Sequence, residues 1–441
     1  MGSLTAWLLN ILSTVMVVGL FMKELRTIIL AAGKGTRFKS ETPKVLHLLA
    51  GRPVIDYVLD VAEAVGSLRT YVVVGHKADL VEKAVAARAS VVVQQEQLGT
   101  AHAVRCCASH FKNVIGDVLV MCGDTPLLDK AVIRQLLAWH RKAGNLCTVL
   151  TAVLEDASGY GRIIRDAKGG FAAIREQKDC SAEEVKVREI NTGVYCFNTK
   201  ALFDSISDIK RNEKKKEFYL TDAIELFLAR GGRVGALVTD DWTANLGLNT
   251  RADLALAEKV KREKILAHLM DSGVTIVDPA TTYIEDGVVI GRDSVIYPCT
   301  YIHAGVRMGK NCSIGPFARV RQGTRLGNDV TLGNFGEVSR SVLADGVTMK
   351  HFGFIGDAQV GMGANIGAGA VTANYDGKNK NKTMIGRKAF IGCDAIMVAP
   401  VSIGDGAVAG AGSVVTRKGI PAGMVGVGIP ARVIKKANKH E

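Results

Sequence analysis

The segment Leu30-Ala31-Ala32-Gly33-Lys34-Gly35-Thr36-Arg37 carries an apolar run into a glycine-rich turn and ends on a cation. Amide groups left free by such a turn at a helix N-terminus can hold phosphate oxygens. Lys44, in Pro43-Lys44-Val45-Leu46, follows closely enough to neutralise phosphate charge as it develops. The turn lacks the third glycine of the dinucleotide fingerprint and the terminal Gly-Lys-Ser/Thr of the ATPase phosphate loop. By itself the glycine pair indicates an anion and nothing finer. Read singly, Asp124 suits a strand-end turn, Lys44 a surface charge, Asn191 a turn and His351 a structural position.

The elements that must position these residues show two periodicities. From Arg26, buried strands at Thr27–Ala32, Thr70–Val74, Val91–Val93 and Val118–Met121 alternate with helices at Val54–Val65, Asp79–Ala87 and Ala101–Ser109. This α/β alternation predicts a mostly parallel sheet whose ligand crevice lies at the carboxyl ends of its strands. A helix over Arg251–Leu269 reads as a connector. Beyond it the apolar period is six: Ile290 through Val338 without a break, Val342 through Thr372 out of phase, and Ile385 through Val415. An inserted loop at Asn374–Lys382 separates the last two series. Three hexads make one triangular coil with an apolar residue inside each side, and stacked coils share a core. The expected organisation is an apolar extension at 1–22, an α/β domain at 23–250, a linker helix at 251–273, a β-helix at 274–434 and a basic tail at 435–441.

Composition sets the outer bounds. The chain has 441 residues, 48 glycines gathered largely in the repeat, and a formal charge of +13. That charge suits nucleotides, sugar phosphates or coenzyme A, and the scatter of its lysines beyond Lys214–Lys216 and Lys435–Lys436 argues against a nucleic-acid partner. Nine cysteines without a CxxC pair fit a reducing, cytoplasmic compartment and offer no zinc site. Leu4–Met22 runs nineteen residues without a charge, long enough for a membrane span. Because a core strand follows almost at once, it reads as an upstream start before Met22-Lys23-Glu24-Leu25 rather than an anchor, and membrane contact is not expected.

The glycine-rich turn, Pro43-Lys44-Val45-Leu46 and Gln94-Gln95-Glu96-Gln97-Leu98-Gly99-Thr100 together resemble the sugar-1-phosphate nucleotidyltransferases. The nearest resemblance is to the bifunctional N-acetylglucosamine-1-phosphate uridylyltransferase and glucosamine-1-phosphate N-acetyltransferase family, over about Arg26–Arg417. Gly123-Asp124-Thr125-Pro126, Gly159-Tyr160-Gly161-Arg162-Ile163, Glu176-Gln177-Lys178-Asp179 and Ile190-Asn191-Thr192-Gly193 agree in order and spacing. The resemblance implies a Rossmann-like mixed sheet followed by a left-handed parallel β-helix of hexapeptide repeats, usually trimeric. It implies that Leu30, Ala31, Gly33, Lys44, Gln94, Gln97, Gly99 and Thr100 bind UTP, that Asp124 and Asn249 hold Mg²⁺, and that Lys44 and Arg37 stabilise charge. Gly161, Glu176 and Asn191 would hold N-acetylglucosamine-1-phosphate.

In the repeat the resemblance maps a general base onto His351, whose ordinary pKa near 6.5 suits deprotonating an amine. Arg321 and Asn365 would bind glucosamine-1-phosphate, and Asn374, Tyr375, Lys380, Cys393 and Ala411 acetyl-CoA. Two departures stand out: Ser339 where the family has a lysine, and Phe354 where it has a tyrosine. The end, Gly428-Ile429-Pro430-Ala431-Arg432-Val433-Ile434, is closer to generic hexapeptide acyltransferases. Two rival readings stay open at this point. One is a nucleotidyltransferase on a purely structural trimerising β-helix, acting on another sugar-1-phosphate; the other is a noncatalytic scaffold, against which Lys44, Asp124 and Asn249 argue.

Overall fold

The computed structural model describes residues 24–212 and 216–436, apart from the side chains of residues 244 and 245. The apolar run Leu4–Met22, the start at Met22, Lys214 and the end of the basic tail lie outside the described residues. The chain divides into two units: one runs to Leu49 and resumes over Pro53–Ala257, and the other joins Ala50–Arg52 to the chain from Glu258 onward. The division falls inside the long helix Arg251–Asp271.

The first unit is built on nine strands: β1 Glu24–Ala31, β2 Arg69–Val74, β3 Ser90–Val93, β4 Gly116–Cys122, β5 Cys147–Val153, β6 Arg162–Arg165, β7 Phe171–Arg175, β8 Glu189–Asn198 and β9 Val234–Thr239. Their order across the sheet is β9-β5-β8-β4-β1-β2-β3, with β6 and β7 forming a side ribbon on β8. β1 is parallel to both β2 and β4, whereas β8 runs antiparallel to β4 and β5. β1 is buried on both faces. Ile28 packs with Val73, Val120 and Phe197, while Ile29 packs with Ile55, Leu119 and Met121. Such two-sided burial explains why the strand reads as a continuous apolar run without alternation. The helices α1 Val54–Ala64, α2 Ala78–Val85 and α3 Thr100–Cys106 begin within a residue of their expected starts.

The second unit is a parallel β-helix of short strands in three faces, with sheet orders of ten, eight and seven strands. Strands one coil apart stack in register, as in Val295 over Ser313 over Thr331. Inside, Ile290, Ile296, Ile302, Met308, Ile314, Val320, Leu326, Leu332 and Val338 are all buried, as the first series predicts. The second series is corrected. Leu343, Met349 and Ile355 fill the core, while Val342 is 45% exposed and Phe354 lies on the outer face between Glu337 and Val371. Two coils are one residue short, because Thr331 stacks on Thr348 and Val342 on Gln359. Arg340 and Asp357, both in the left-handed backbone region, turn these short corners. A strict period of six therefore slips by one until Val360 restores it.

Ile314 is fully buried in this core. Ile314→Ala is expected to destabilise the β-helix by about 2–5 kcal/mol, the usual cost of a cavity in a packed core. Exposed Arg307→Ala should shift the same urea transition by less than about 0.5 kcal/mol.

Candidate functional site

At the carboxyl ends of β1 and β4 lies a cavity of about 320 Å³, bounded by Leu30, Ala31, Gly33, Lys44, Gln94, Gln97, Gly99, Thr100 and Asp124. All eight residues proposed for the nucleotide are thus gathered in one place. The glycine-rich turn opens a single 3₁₀ turn, Thr36–Phe38, rather than the α-helix anticipated, so its anion-binding capacity rests on local amides and not on a long helix dipole. Gly35 has φ 59°, and a β-carbon there would press to 3.3 Å from Lys44 Cβ.

Two cation–oxygen pairs join segments in this unit, of which Lys44 and Asp124 line the cavity and Arg37 and Asn249 do not. Lys44 Nζ is ion-paired with Asp124 Oδ2. Arg37 Nη2 donates to Asn249 Oδ1 at 2.9 Å. The amide of Leu248 donates to the Asp124 carbonyl at 2.9 Å, which fixes the segment bearing Asn249 beside the end of β4. One carboxylate and one amide oxygen, with space for phosphate and water, are the few hard donors that Mg²⁺ takes from a protein. The donor set fits that ion.

The opposite wall is held by a tight crossing of two distant segments. Phe218 N donates to Leu98 O at 2.7 Å, Ala101 N to Phe218 O at 3.0 Å, and Leu220 N to Thr100 Oγ1 at 2.9 Å. Gly99 has φ 104°, and any β-carbon would lie 2.5 Å from Phe218 O, so this crossing requires glycine. Gln94 is buried, and its Nε2 lies 3.1 Å from Gly99 O and 2.9 Å from His102 Nδ1. Burial and Arg105 lower the His102 pKa, which keeps the ring neutral so that Nδ1 can accept. Gln94 therefore turns its carbonyl, not its amino group, to other partners.

Gly161, Glu176 and Asn191 converge on a second patch. Asn191 N donates to Gly161 O at 2.8 Å, and a β-carbon on Gly161 would stand 3.6 Å from Glu176 Oε1. The Asn191 side chain donates to Tyr195 Oη at 2.7 Å and accepts from Gly193 N at 3.0 Å. Cys122 connects the patches, since it lines the cavity while its Sγ reaches Gly193 O at 3.8 Å. Burial pushes its thiol up to about 12, so it stays protonated. Cys122, His76, Glu217 and Tyr219 line the cavity without having been singled out in the sequence.

The β-helix distributes its candidates over several coils. Arg321 donates to Glu337 Oε1 at 2.9 Å, and Asn365 Oδ1 accepts from Thr348 at 3.0 Å. Tyr375 and Lys380 pair across the inserted loop, whose first residue, Asn374, donates to Asp357 Oδ2. Cys393 is exposed, and its carbonyl accepts from Gly412 N at 2.8 Å, next to Ala411. His351 is exposed; among the described residues no hydrogen bond links it to Arg321, Asn365 or the loop. Ser339 is 1% exposed and accepts from Arg340 Nη1 at 2.8 Å.

Comparison with known proteins agrees with this two-part organisation. The MobA-like NTP transferase domain model matches residues 27–220. The model named hexapeptide repeat of succinyl-transferase matches residues 305–334 and 382–417. The bifunctional protein GlmU of Geobacillus thermodenitrificans is 41% identical over 444 residues, covering 93% of this chain and 96% of its own. That of Pelobacter propionicus is 41% identical over 92% of this chain and 96% of its own, and that of Pelotomaculum thermopropionicum 43% identical over 86% and 90%.

Asp222, the first residue of the helix Asp222–Ala229, is a further carboxylate beside Glu176 that the sequence did not reveal. Burial, with Glu225 and Glu176 adding repulsion, pushes its pKa from 3.8 up to about 6. Between those values the folded chain holds a proton that the unfolded chain has lost, so stability falls as pH rises through the window and levels off above it. Asp222→Asn should abolish that fall. Its stability relative to wild type should rise by roughly 2 kcal/mol between pH 4 and pH 7, read from urea midpoints. Parallel profiles would make Asp222 an ordinary surface carboxylate.

Proposed function

The chain belongs to the family of bifunctional GlmU proteins, and from that membership we propose that it makes UDP-N-acetylglucosamine by two reactions in its two units. In the β-helix, acetyl-CoA acetylates glucosamine-1-phosphate. In the α/β unit, the resulting N-acetylglucosamine-1-phosphate attacks the α-phosphorus of UTP and expels pyrophosphate. The observation that carries the reading is the cavity itself, where Lys44, in a 3₁₀ turn beyond β1, meets Asp124 just past the end of β4, with the Gln94–Gly99 segment lining the same space.

The attack brings two anions together, so catalysis requires positioning and charge neutralisation rather than a covalent nucleophile. Lys44 and Arg37 supply the cations, and the amides of Ala32–Gly35 cradle phosphate oxygens. Gln94, Gln97, Gly99 and Thr100 receive the base; Gly161, Glu176 and Asn191 receive the sugar. Asp124 and Asn249 would hold Mg²⁺, which when bound neutralises phosphate charge and orients the nucleotide. In the β-helix, His351 takes the proton that the sugar amine loses as its nitrogen bonds to the acetyl carbon and the coenzyme A thiolate leaves. Arg321 and Asn365 hold the sugar phosphate, while Asn374, Tyr375, Lys380, Cys393 and Ala411 hold the coenzyme.

A homotrimer and a cytoplasmic location complete the reading. Phe317, Phe335 and Phe352, each at least 51% exposed, offer aromatic surface that a second copy would cover. UTP and acetyl-CoA are cytoplasmic metabolites, and all nine cysteines are free thiols. No helix among the described residues is long and apolar enough to cross a membrane.

Purified protein supplied with glucosamine-1-phosphate and acetyl-CoA should release thiol, and with N-acetylglucosamine-1-phosphate, UTP and Mg²⁺ should release pyrophosphate. His351→Ala should lower thiol release about 10²–10⁴-fold and spare pyrophosphate release. Lys44→Ala should lower pyrophosphate release about 10²–10³-fold. Pyrophosphate without thiol would leave the β-helix a structural element. Phe335→Asp should convert a sedimenting trimer to monomer; an unchanged trimer would place the interface elsewhere.

A further inference from the structure

Three successive corners of the β-helix are tied together by one polar network. Arg340, at the first, donates through Nε and Nη2 to both carboxylate oxygens of Asp357, at 2.7 and 2.8 Å. Its Nη1 donates to Ser339 Oγ at 2.8 Å. Asp357, at the second corner, accepts from the amide of Asn374 at the third. The stacking of Ser339 on Gly356 sets the first two corners in line. These first two corners are those of the shortened coils, where Arg340 and Asp357 each adopt a left-handed backbone.

Asp357 also touches the other end of the inserted loop. Its carbonyl accepts from Thr383 N at 3.2 Å, while Asn381 N closes the loop base by donating to Asn374 O at 2.7 Å. One residue thus grips the entry of the loop through its side chain and the exit through its backbone. The bidentate guanidinium, then Asn374 and the nearby Lys380 hold the Asp357 carboxyl below the usual carboxylate range, so the grip is a charged one at neutral pH. Ser339 belongs to this arrangement. A lysine at that position would set a second cation against the guanidinium, whereas serine accepts a hydrogen bond from it.

We propose that the Arg340–Asp357 pair is a clasp that positions the 374–382 loop for the acetyl donor, with Asp357 a positioning residue acting through Asn374. The proposal rests on the reading of the β-helix as an acetyltransferase. The clasp commits the Asn374 amino group to Asp357, so that any further partner of this side chain must meet its carbonyl oxygen. It also holds Tyr375 and Lys380 on a closed two-legged loop, so the ordering cost of that loop is met before the ligand arrives.

The test uses the full chain and two readouts. Hydrogen exchange without ligand should be about tenfold or more faster over 374–383 in Asp357→Asn and in Arg340→Ala, with the other coils unchanged. In thiol-release kinetics, both variants should raise KM for acetyl-CoA about tenfold while kcat changes less than threefold, and Arg340→Lys should recover part of the loss. Wild-type exchange over 374–383 in both variants would overturn the clasp. So would acceleration spread over all the coils, which would make Asp357 a general stacking residue, or a fall in kcat at constant KM. If the wild-type protein turns over no acetyl-CoA, the acetyltransferase reading fails, and the exchange experiment still decides whether the clasp exists.

Discussion

Parallel strands exchange evenly spaced, slanted hydrogen bonds, so the height of each residue in a sheet is set by its neighbour and not by its own side chain. Both units of this chain use that constraint. In the α/β unit, Leu30 lies level with Val73 on one side and Cys122 on the other, so the turns that follow β1 and β4 emerge together. Lys44 and Asp124, eighty positions apart, can therefore meet. In the β-helix the same rule stacks corners, and a side chain leaving one corner finds its partner in the corner of the next coil. Arg340 and Asp357 meet in this way.

The cations at this end of the sheet have oxygen partners within the protein. Lys44 and Arg37 each rest against an oxygen donor, Asp124 and Asn249. Pairs near solvent contribute about 0–1 kcal/mol. A charged hydrogen bond to phosphate contributes roughly 1.5–3 kcal/mol. On the proposed reading a nucleotide would exchange these contacts for stronger ones, and the oxygens that the cations release would be the ones suited to a divalent ion.

Much of this was legible from residue type and spacing. The glycine-rich turn, Lys44 and the Gln94–Thr100 segment line one cavity because each follows a strand of a sheet that the apolar runs already implied. Glu217 and Tyr219 escaped notice because their place is set by the backbone crossing at Gly99 and Phe218, a contact between segments more than a hundred residues apart that leaves no local period. Asp222 escaped for a related reason: its raised pKa comes from burial beside Glu225 and Glu176, and neither burial nor the approach of Glu176 is written in neighbouring residues. The hexad phase failed between Val342 and Phe354 because a period of six presumes equal corners. Two corners are a residue short there, and the register of Thr331 with Thr348 reveals it.

The two departures from the family pattern fall outside the apolar core of the β-helix. A coil is held by its inward residues, here Val338 and Ile355, both fully buried in the shared core. Phe354 sits next to Ile355 on the outer face between Glu337 and Val371, whereas Ser339, next to Val338, is buried and bonded to Arg340. The physical separation of packing from chemistry is sharper in a β-helix than in the α/β unit, where Cys122 at the end of a core strand also lines the cavity. The repeat can consequently keep its architecture while the cation supply at its surface is rearranged. In this chain the guanidinium of Arg340, bonded to Ser339 and clasped by Asp357, is a cation held beside the position of that departure.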